Sequence, residues 1–390
     1  MRVSAPTLAV IGGGQLARMM AQPAIALGLP LRLLAEAEGV SAAQVIADHT
    51  VGDYRDLDTL LKVTDGCAAV TFDHEHVPTE HLHALERAGV AVRPGPQALV
   101  FAQDKALMRE RLGGLGVPCP RNAVVTSVEE VEAFGFPCVL KTTRGGYDGK
   151  GVWVVRSAAD AVEPFEVASK AAPQNGTRIL AEELVDFRRE LSAIVARSPS
   201  GQAAAYPVVQ TTQRGGICHE VVAPAPDLSD ELAGQAQSIA LKVAGELGVT
   251  GILAVELFET VDGRILVNEL AMRPHNTGHW TQDGAETSQF ENHLRAVMDL
   301  PLGSPAPRQR WTVMVNILGG SDPDAGRLYD GFPHALARDP HLRVHLYGKD
   351  LRPGRKVGHV NTYGDDLEDC LERARHAAAW FAGDLGNESE

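Results

Sequence analysis

The chain has 390 residues and a formal net charge of −14, from 50 acidic residues against 36 Lys and Arg. That acid surplus excludes nucleic acid and anionic membranes as principal partners, and no apolar run approaches the roughly 18 residues of a membrane-spanning helix. With 44% hydrophobic and 22% charged residues the composition is that of a globular protein, long enough for two or three cored domains. Five scattered cysteines (67, 119, 138, 218 and 370), with no Cys-x-x-Cys pair, suit reduced thiols, and the opening Met1-Arg-Val-Ser-Ala-Pro6 leads straight into a strand, so a cytoplasmic protein without a signal peptide is expected.

Residues 8–11, Leu-Ala-Val-Ile, form a buried-strand pattern, followed by the turn Gly12-Gly-Gly14-Gln15-Leu16-Ala17 and a helical stretch through Leu27. Strand, glycine turn and helix open a doubly wound α/β unit. The spacing Gly12-x-Gly14-x-x-Ala17 matches the dinucleotide fingerprint, and Glu36 lies about where a ribose-binding acid belongs. A nicotinamide-dependent oxidoreductase is therefore one reading, although any phosphate-bearing ligand can use such a helix N-terminus. A second βα unit follows, with a strand at 31–34 and a helix at 42–47; residues 56–64 read as a helix and 68–72 as a strand. That strand delivers Asp73-His74-Glu75-His76 to its C-terminal end, where open α/β sheets bind ligands. The two histidines lack a third ligand and read as structure or substrate contact; Glu75 is the functional candidate. A helix at 82–88 and a strand at 90–94 complete a first domain that ends near residue 108.

Gln103-Asp104-Lys105 opens an apolar-periodic helix, 106–115, stopped by Gly116-Val-Pro118; Lys105 alone would be a solvated helix lysine. After a small helix at 129–134 comes the stretch around which the chain is organised, Cys138-Val-Leu-Lys141-Thr-Thr-Arg144-Gly145-Gly146-Tyr147-Asp148-Gly149-Lys150-Gly151 and the returning apolar run 152–155. This is a hairpin whose turn is too long and too glycine-rich to be only a connection. Glycines let backbone N–H groups approach phosphate oxygens, and Lys141 and Lys150 bracket the turn with positive charge. Residues 178–185 form a strand ending in Glu182-Glu183-Leu184-Val185, and 188–195 an alternating strand; a long helix spans 232–247. Next, the strand 251–258 carries Glu256 and the strand 263–270 carries Asn268-Glu269, joined by the turn 260–263. A carboxylate in an apolar strand is costly unless paired or metal-bound. No cation shares these two strands, so hard oxygen ligands beside an amide suit Mg²⁺. The polar loop Met272-Arg273-Pro-His275-Asn276-Thr277-Gly-His279-Trp-Thr281 follows, then a helix at 290–298 and a linker at 301–307. The last segment, strands and a closing helix, holds a basic knot of Lys349, Arg352, Arg355, Lys356 and His359 about Pro353-Gly354. A solvated charge run is the ordinary explanation of such a knot. Pro353-Gly354 turns the backbone within this run, which a simple charge run does not require.

The glycine-rich hairpin, Glu182-Glu-Leu-Val185, and Glu256 with Asn268-Glu269 resemble the ATP-grasp superfamily. Within it, Gly12-Gly-Gly-Gln15-Leu16, Gly146-Tyr-Asp148-Gly, the 275–281 loop and Tyr347-Gly-Lys349 with Arg355-Lys356-Val-Gly-His359 are similar to the N5-carboxyaminoimidazole ribonucleotide synthetase family, over almost the whole chain. The resemblance implies an ATP-grasp fold of mixed α/β and α+β type: an N-terminal doubly wound (pre-ATP-grasp) domain at 1–108, an ATP-grasp domain at 109–300 with a lid near 120–185, and a small C-terminal domain at 301–390. It implies that Lys105 and Lys141 contact the phosphates of ATP and that Gly145, Gly146, Tyr147, Asp148, Gly149, Lys150 and Gly151 close over them. Glu182, Glu183, Leu184 and Val185 would hold the adenine and Glu190 the ribose. Asn268 and Gln213 would also contact the nucleotide; Thr211-Thr-Gln213 stands where the family often carries Asn-x-His. Mg²⁺ would lie on Glu256 and Glu269. Gln15, Leu16, Glu75, Lys349, Arg352, Arg355 and Lys356 would bind 5-aminoimidazole ribonucleotide. Tyr147, Asp148, Arg273, His275 and Asn276 would serve catalysis beside the imidazole and bicarbonate. The implied reaction carboxylates the ribonucleotide through carboxyphosphate in purine synthesis, in a homodimer. Another carboxylate–amine ligase of the superfamily is the nearest alternative.

Overall fold

The computed structural model describes residues 5–146 and 149–385, so the expectations for Tyr147 and Asp148 lie outside the described residues. Three sheets carry the chain. The first is parallel, with strands in the order His49–Val51, Leu31–Ala35, Leu8–Ile11, Ala69–Phe72. Leu8–Ile11 and Ala69–Phe72 are buried at every residue, as strands covered on both faces require of an unbroken apolar run. Two expected elements are absent among the described residues. Residues 41–45 form turns instead of a helix: the apolar run is too short to sustain helical turns, and Ala42 N–H is drawn to the carbonyl of Gly13. The 90–94 strand reduces to one bridge, Val92 to Val70, because Pro94 has no N–H to extend it.

The second sheet is antiparallel, ordered Asn122–Val125, Ile179–Glu183, Cys138–Thr142, Val152–Val155. It is the hairpin with the glycine-rich turn, extended on one side by Ile179–Glu183 and then Asn122–Val125. The helices Val128–Phe134 and Val162–Asn175 pack on it through Val131, Phe165 and Ala168. Among its described residues, the longer of these helices buries only a thin stripe, Pro164 and Ala168, with Phe165 half-buried.

The third sheet is antiparallel and has nine strands. Its path runs Ile265–Ala271, Gly251–Thr260, Phe187–Arg197, Val209–Arg214, Ile217–Ala223, Trp311–Leu318, Lys356–Gly364, Arg343–Leu346, with Ala203–Ala205 attached to Phe187–Arg197. The C-terminal segment therefore extends this sheet, Thr312 to Val315 pairing with Ala223 to Glu220. The helix Asp230–Glu246 covers one face with Ala236, Ile239, Ala240, Val243 and Ala244, packed on Leu253 and Val255. No described helix is long and apolar enough to cross a membrane.

Candidate active site

A cleft of about 1530 Å³ opens where the C-terminal end of the parallel sheet faces the small sheet and the edge of the nine-stranded sheet. Its phosphate-like wall is built by charges that pair across sheets. The helix Lys105–Gly114 begins at Asp104, whose Oδ1 caps it by accepting from Ala106 and Leu107 N–H while Oδ2 accepts from Arg144 at 2.8 Å. Lys105 Nζ reaches Glu269 Oε1 at 2.7 Å, and Lys141 Nζ lies 3.0 Å from Asn268 Oδ1 and 2.7 Å from Glu182 Oε2. One helical turn beyond Lys105, buried Arg109 binds Glu182 and donates to the carbonyls of Val267 (2.9 Å) and Asn268 (2.7 Å). Burial pushes the Glu182 carboxyl up, but Lys141 and Arg109 outweigh it and hold it at about 2. Lys141 is thus an ammonium braced by its own counter-ion. The Glu182 carboxylate serves Lys141 and Arg109, while Glu182 also lines the cleft.

Glu256 and Glu269 face each other in register across their strands. Burial raises Glu256 to about 8, with the Glu269 and Glu190 charges adding to it. Glu190, half-buried, rises to about 7 as well. Burial pushes Glu269 up as well, yet Lys105 holds it below the usual range. No cation shares the two strands, but one reaches the pair from a neighbouring helix, where Lys105 binds Glu269. Lys105 leaves Glu256 uncompensated, and His275 Nε2 stands 3.8 Å from it. Among the described residues no trio of His, Cys, Asp and Glu makes a metal site alone. Glu256, with no described charge partner closer than His275, beside Glu269 and the two lysines fits a hard divalent cation shared with phosphate oxygens.

The opposite wall comes from the two ends of the chain. Glu75 accepts from Arg273 Nε at 2.8 Å and from Met272 N–H at 3.2 Å, tying the first sheet to the 272–281 loop. Lys349 donates to Gln15 Oε1, and Gln15, Leu16, Lys349 and Lys356 all line the cleft. The helix N-terminus itself is occupied, because Ala17 N–H donates to Asp73 Oδ1 at 2.7 Å. Glu36 Oε2 accepts from Gly13 N–H at 2.9 Å. A Cβ on Gly13 would lie 2.4 Å from Val40, and one on Gly14 2.1 Å from Asp73 Oδ2. The dinucleotide fingerprint is therefore filled by the protein's own side chains, which removes the basis of the oxidoreductase reading. His74 stacks with His76 at 5.1 Å and lies 3.5 Å from Glu36, both rings on the cleft wall.

Gly145, Gly146, Gly149, Glu183, Leu184, Val185 and Gln213 also line the cleft, as do Arg273, His275 and Asn276. Four expected residues do not. Lys150 is exposed, and the carbonyl of Gly151 accepts from Thr142 N–H, closing the hairpin. Arg352 is exposed and Arg355 donates to the carbonyl of Asp350 at 3.3 Å, carried outward by the Pro353-Gly354 turn. Sequence reasoning missed Arg109, whose signal was its place four residues after Lys105 on one helical face. It also missed Phe187 and Phe258, stacked at 4.8 Å on the cleft wall, a cross-strand pair that only register reveals.

Three family models match in succession: Ribonucleotide synthetase preATP-grasp domain over residues 5–103, ATP-grasp domain over 110–290, and Phosphoribosylaminoimidazole carboxylase C-terminal domain over 312–373. An N5-carboxyaminoimidazole ribonucleotide synthase of Mycobacterium tuberculosis is 54% identical over 382 residues, covering 97% of this chain and 88% of the relative. An N5-carboxyaminoimidazole ribonucleotide synthetase solved as an ADP complex superposes with a TM-score of 0.87 at 36% identity, covering 98% of this chain and 99% of its own. An N5-carboxyaminoimidazole synthase of Aspergillus clavatus, solved with ADP and 5-aminoimidazole ribonucleotide, gives 0.87 at 31% identity, over 97% of this chain and 99% of its own.

Proposed function

The chain belongs to the N5-carboxyaminoimidazole ribonucleotide synthase family, and from that premise we propose how its cleft divides the work. It is an ATP-dependent ligase of purine biosynthesis that carboxylates 5-aminoimidazole ribonucleotide. The observation that carries our reading is the meeting in one cleft of two separate basic pairs, Lys105 with Lys141 and Lys349 with Lys356.

The triphosphate lies against Lys105 and Lys141, with Gly145, Gly146 and Gly149 closing from the small sheet and Phe187 and Phe258 offering an apolar wall to the base. Glu256 and Glu269 would hold Mg²⁺, which would supply positive charge beside the phosphates. Bicarbonate is the carbon source. It is a poor electrophile until the γ-phosphoryl group is placed on its oxygen, giving carboxyphosphate and ADP. In that step Lys105 and Lys141 stabilise charge that spreads over the transferring group. The exocyclic amine of the ribonucleotide then bonds to the carboxyl carbon, directly or as CO₂, while the C–O bond to phosphate breaks and the leaving phosphate takes the proton lost from nitrogen. Arg273, held by Glu75, and His275 border the place where this happens, and closure of the small sheet excludes water from it. Lys349 and Lys356 hold the 5′-phosphate. We place the working enzyme in the cytoplasm as a homodimer, an assembly that light scattering checks.

The test uses ¹³C-bicarbonate with ATP, Mg²⁺ and the ribonucleotide. The label should enter the N-carboxylated product in step with ADP and phosphate, and omission of the ribonucleotide should cut ADP release sharply. ADP release at an equal rate without it, or product without label, contradicts the reading.

A further inference from the structure

We propose that Thr277, backed by Ser192, is a positioning residue that fixes His275 with its proton on Nε2, so that the imidazole meets the carboxylating species as a hydrogen-bond donor. The inference deepens the reading of the cleft given above and rests on it.

The geometry leaves little freedom. Thr277 Oγ1 lies 2.9 Å from His275 Nδ1 and 2.8 Å from Ser192 Oγ. Both hydroxyl-bearing residues are fully buried, at 0% exposure, so each proton must go to a protein partner. A hydroxyl carries one proton and can turn it either way. What decides the direction is a proton that cannot turn: the backbone N–H of Thr277 also points at His275 Nδ1, at 3.5 Å, as the cap of the 276–278 turn. An N–H on Nδ1 would face that donor head-on, so Nδ1 carries the lone pair. Thr277 then donates to Nδ1 and Ser192 donates to Thr277, which gives every proton an acceptor.

The rest of the loop is clamped to match. Gln289 accepts from His275 N–H at 2.9 Å and donates to its carbonyl at 2.7 Å, so the ring cannot swing by moving its backbone. Nε2–H then points into the cleft. Glu256 at 3.8 Å is too distant to take the bond, which leaves it for an anionic oxygen of bicarbonate or carboxyphosphate. A ring held this way donates to developing negative charge; it is not the group that takes the proton released by the attacking amine.

The decisive experiment is long-range ¹H–¹⁵N correlation on the full chain labelled at histidine, with the His275 signal identified by its loss in His275→Gln. The proton should be on Nε2. In Thr277→Val the tautomer should become mixed, and kcat for carboxylation should fall about tenfold, the effect of one buried hydrogen bond. KM for ATP should stay as in the wild type. Thr277→Ser, which keeps the hydroxyl, should restore both tautomer and kcat. A proton on Nδ1 in the wild type overturns the proposal, as does a Thr277→Val enzyme with full kcat, or a Thr277→Ser enzyme as impaired as Thr277→Val. If Thr277→Val does not fold, the wild-type tautomer and Thr277→Ser decide. Undiminished ADP release by Glu269→Gln would instead overturn the reading of the cleft, whatever the tautomer.

Discussion

Two glycine-rich turns stand at opposite walls of this cleft, and in sequence either could hold a phosphate. At Gly12–Gly14 the backbone donors are spent inside the protein: Gly13 N–H on Glu36, Ala17 N–H on Asp73. At Gly145–Gly151 the turn is exposed at Gly145 and Gly149, both with positive φ, and faces Lys141 and Lys105 across the cleft. The glycines of the first turn make room for the chain's own carboxylates and aliphatic groups. Those of the second let the backbone bend, with Gly145 and Gly149 exposed at positive φ. A glycine pattern therefore shows that a backbone must come close to something; the partner of its N–H groups decides whether that something is a ligand.

The difference can be broken most severely at the second turn's charges. Lys141→Met and Glu269→Gln should each lower ADP release by about 10²–10³-fold at saturating substrates, the scale of a lost charge-stabilising contact. Near-normal turnover in both would make these groups structural. Glycine substitutions then separate the turns. Gly14→Ala puts a Cβ 2.1 Å from Asp73 Oδ2 and should lower unfolding free energy by about 1–3 kcal/mol, seen in denaturant melts. Gly149→Ala, at φ +76 on an exposed turn with its Cβ 3.0 Å from Gly216 Cα, should cost less in the melt than Gly14→Ala and reduce turnover. Equal effects of the two on stability would erase the distinction. On the ribonucleotide side, Lys349→Ala should raise KM for the ribonucleotide by about 1.5–3 kcal/mol in free energy and leave KM for ATP unchanged. Arg352→Ala should change neither. The smallest effect at neutral pH concerns Glu182. Its folded carboxyl is held at about 2, below its ordinary 4.5, so its contribution to stability is present above about 4.5 and is lost as pH falls from there towards 2. Acid titration of the melting point should show this loss, and Arg109→Met should remove much of it.

Much of this was legible in the chain. The apolar runs at 8–11 and 69–72 and the hairpin at 251–271 have periods that survive burial, and the lysines and carboxylates on them stand where those elements carry them. What was not legible depends on partners distant in sequence. Lys105 reads as a solvated lysine until the fold brings Glu269 to it, 164 residues later, at 2.7 Å. Arg352 and Arg355 read as one knot with Lys349 and Lys356 until the Pro353-Gly354 turn divides them. Glu36 reads as a ribose acceptor until its carboxylate is found on Gly13 N–H.

Hydrogen exchange at the two turns tests the contrast most directly. A non-hydrolysable ATP analogue with Mg²⁺ should slow the amides of Gly145, Gly146 and Gly149–Gly151 and leave those of Gly13 and Ala17 as they were, while NAD⁺ should change neither turn. Protection confined to Gly13–Ala17, by either nucleotide, would contradict the account.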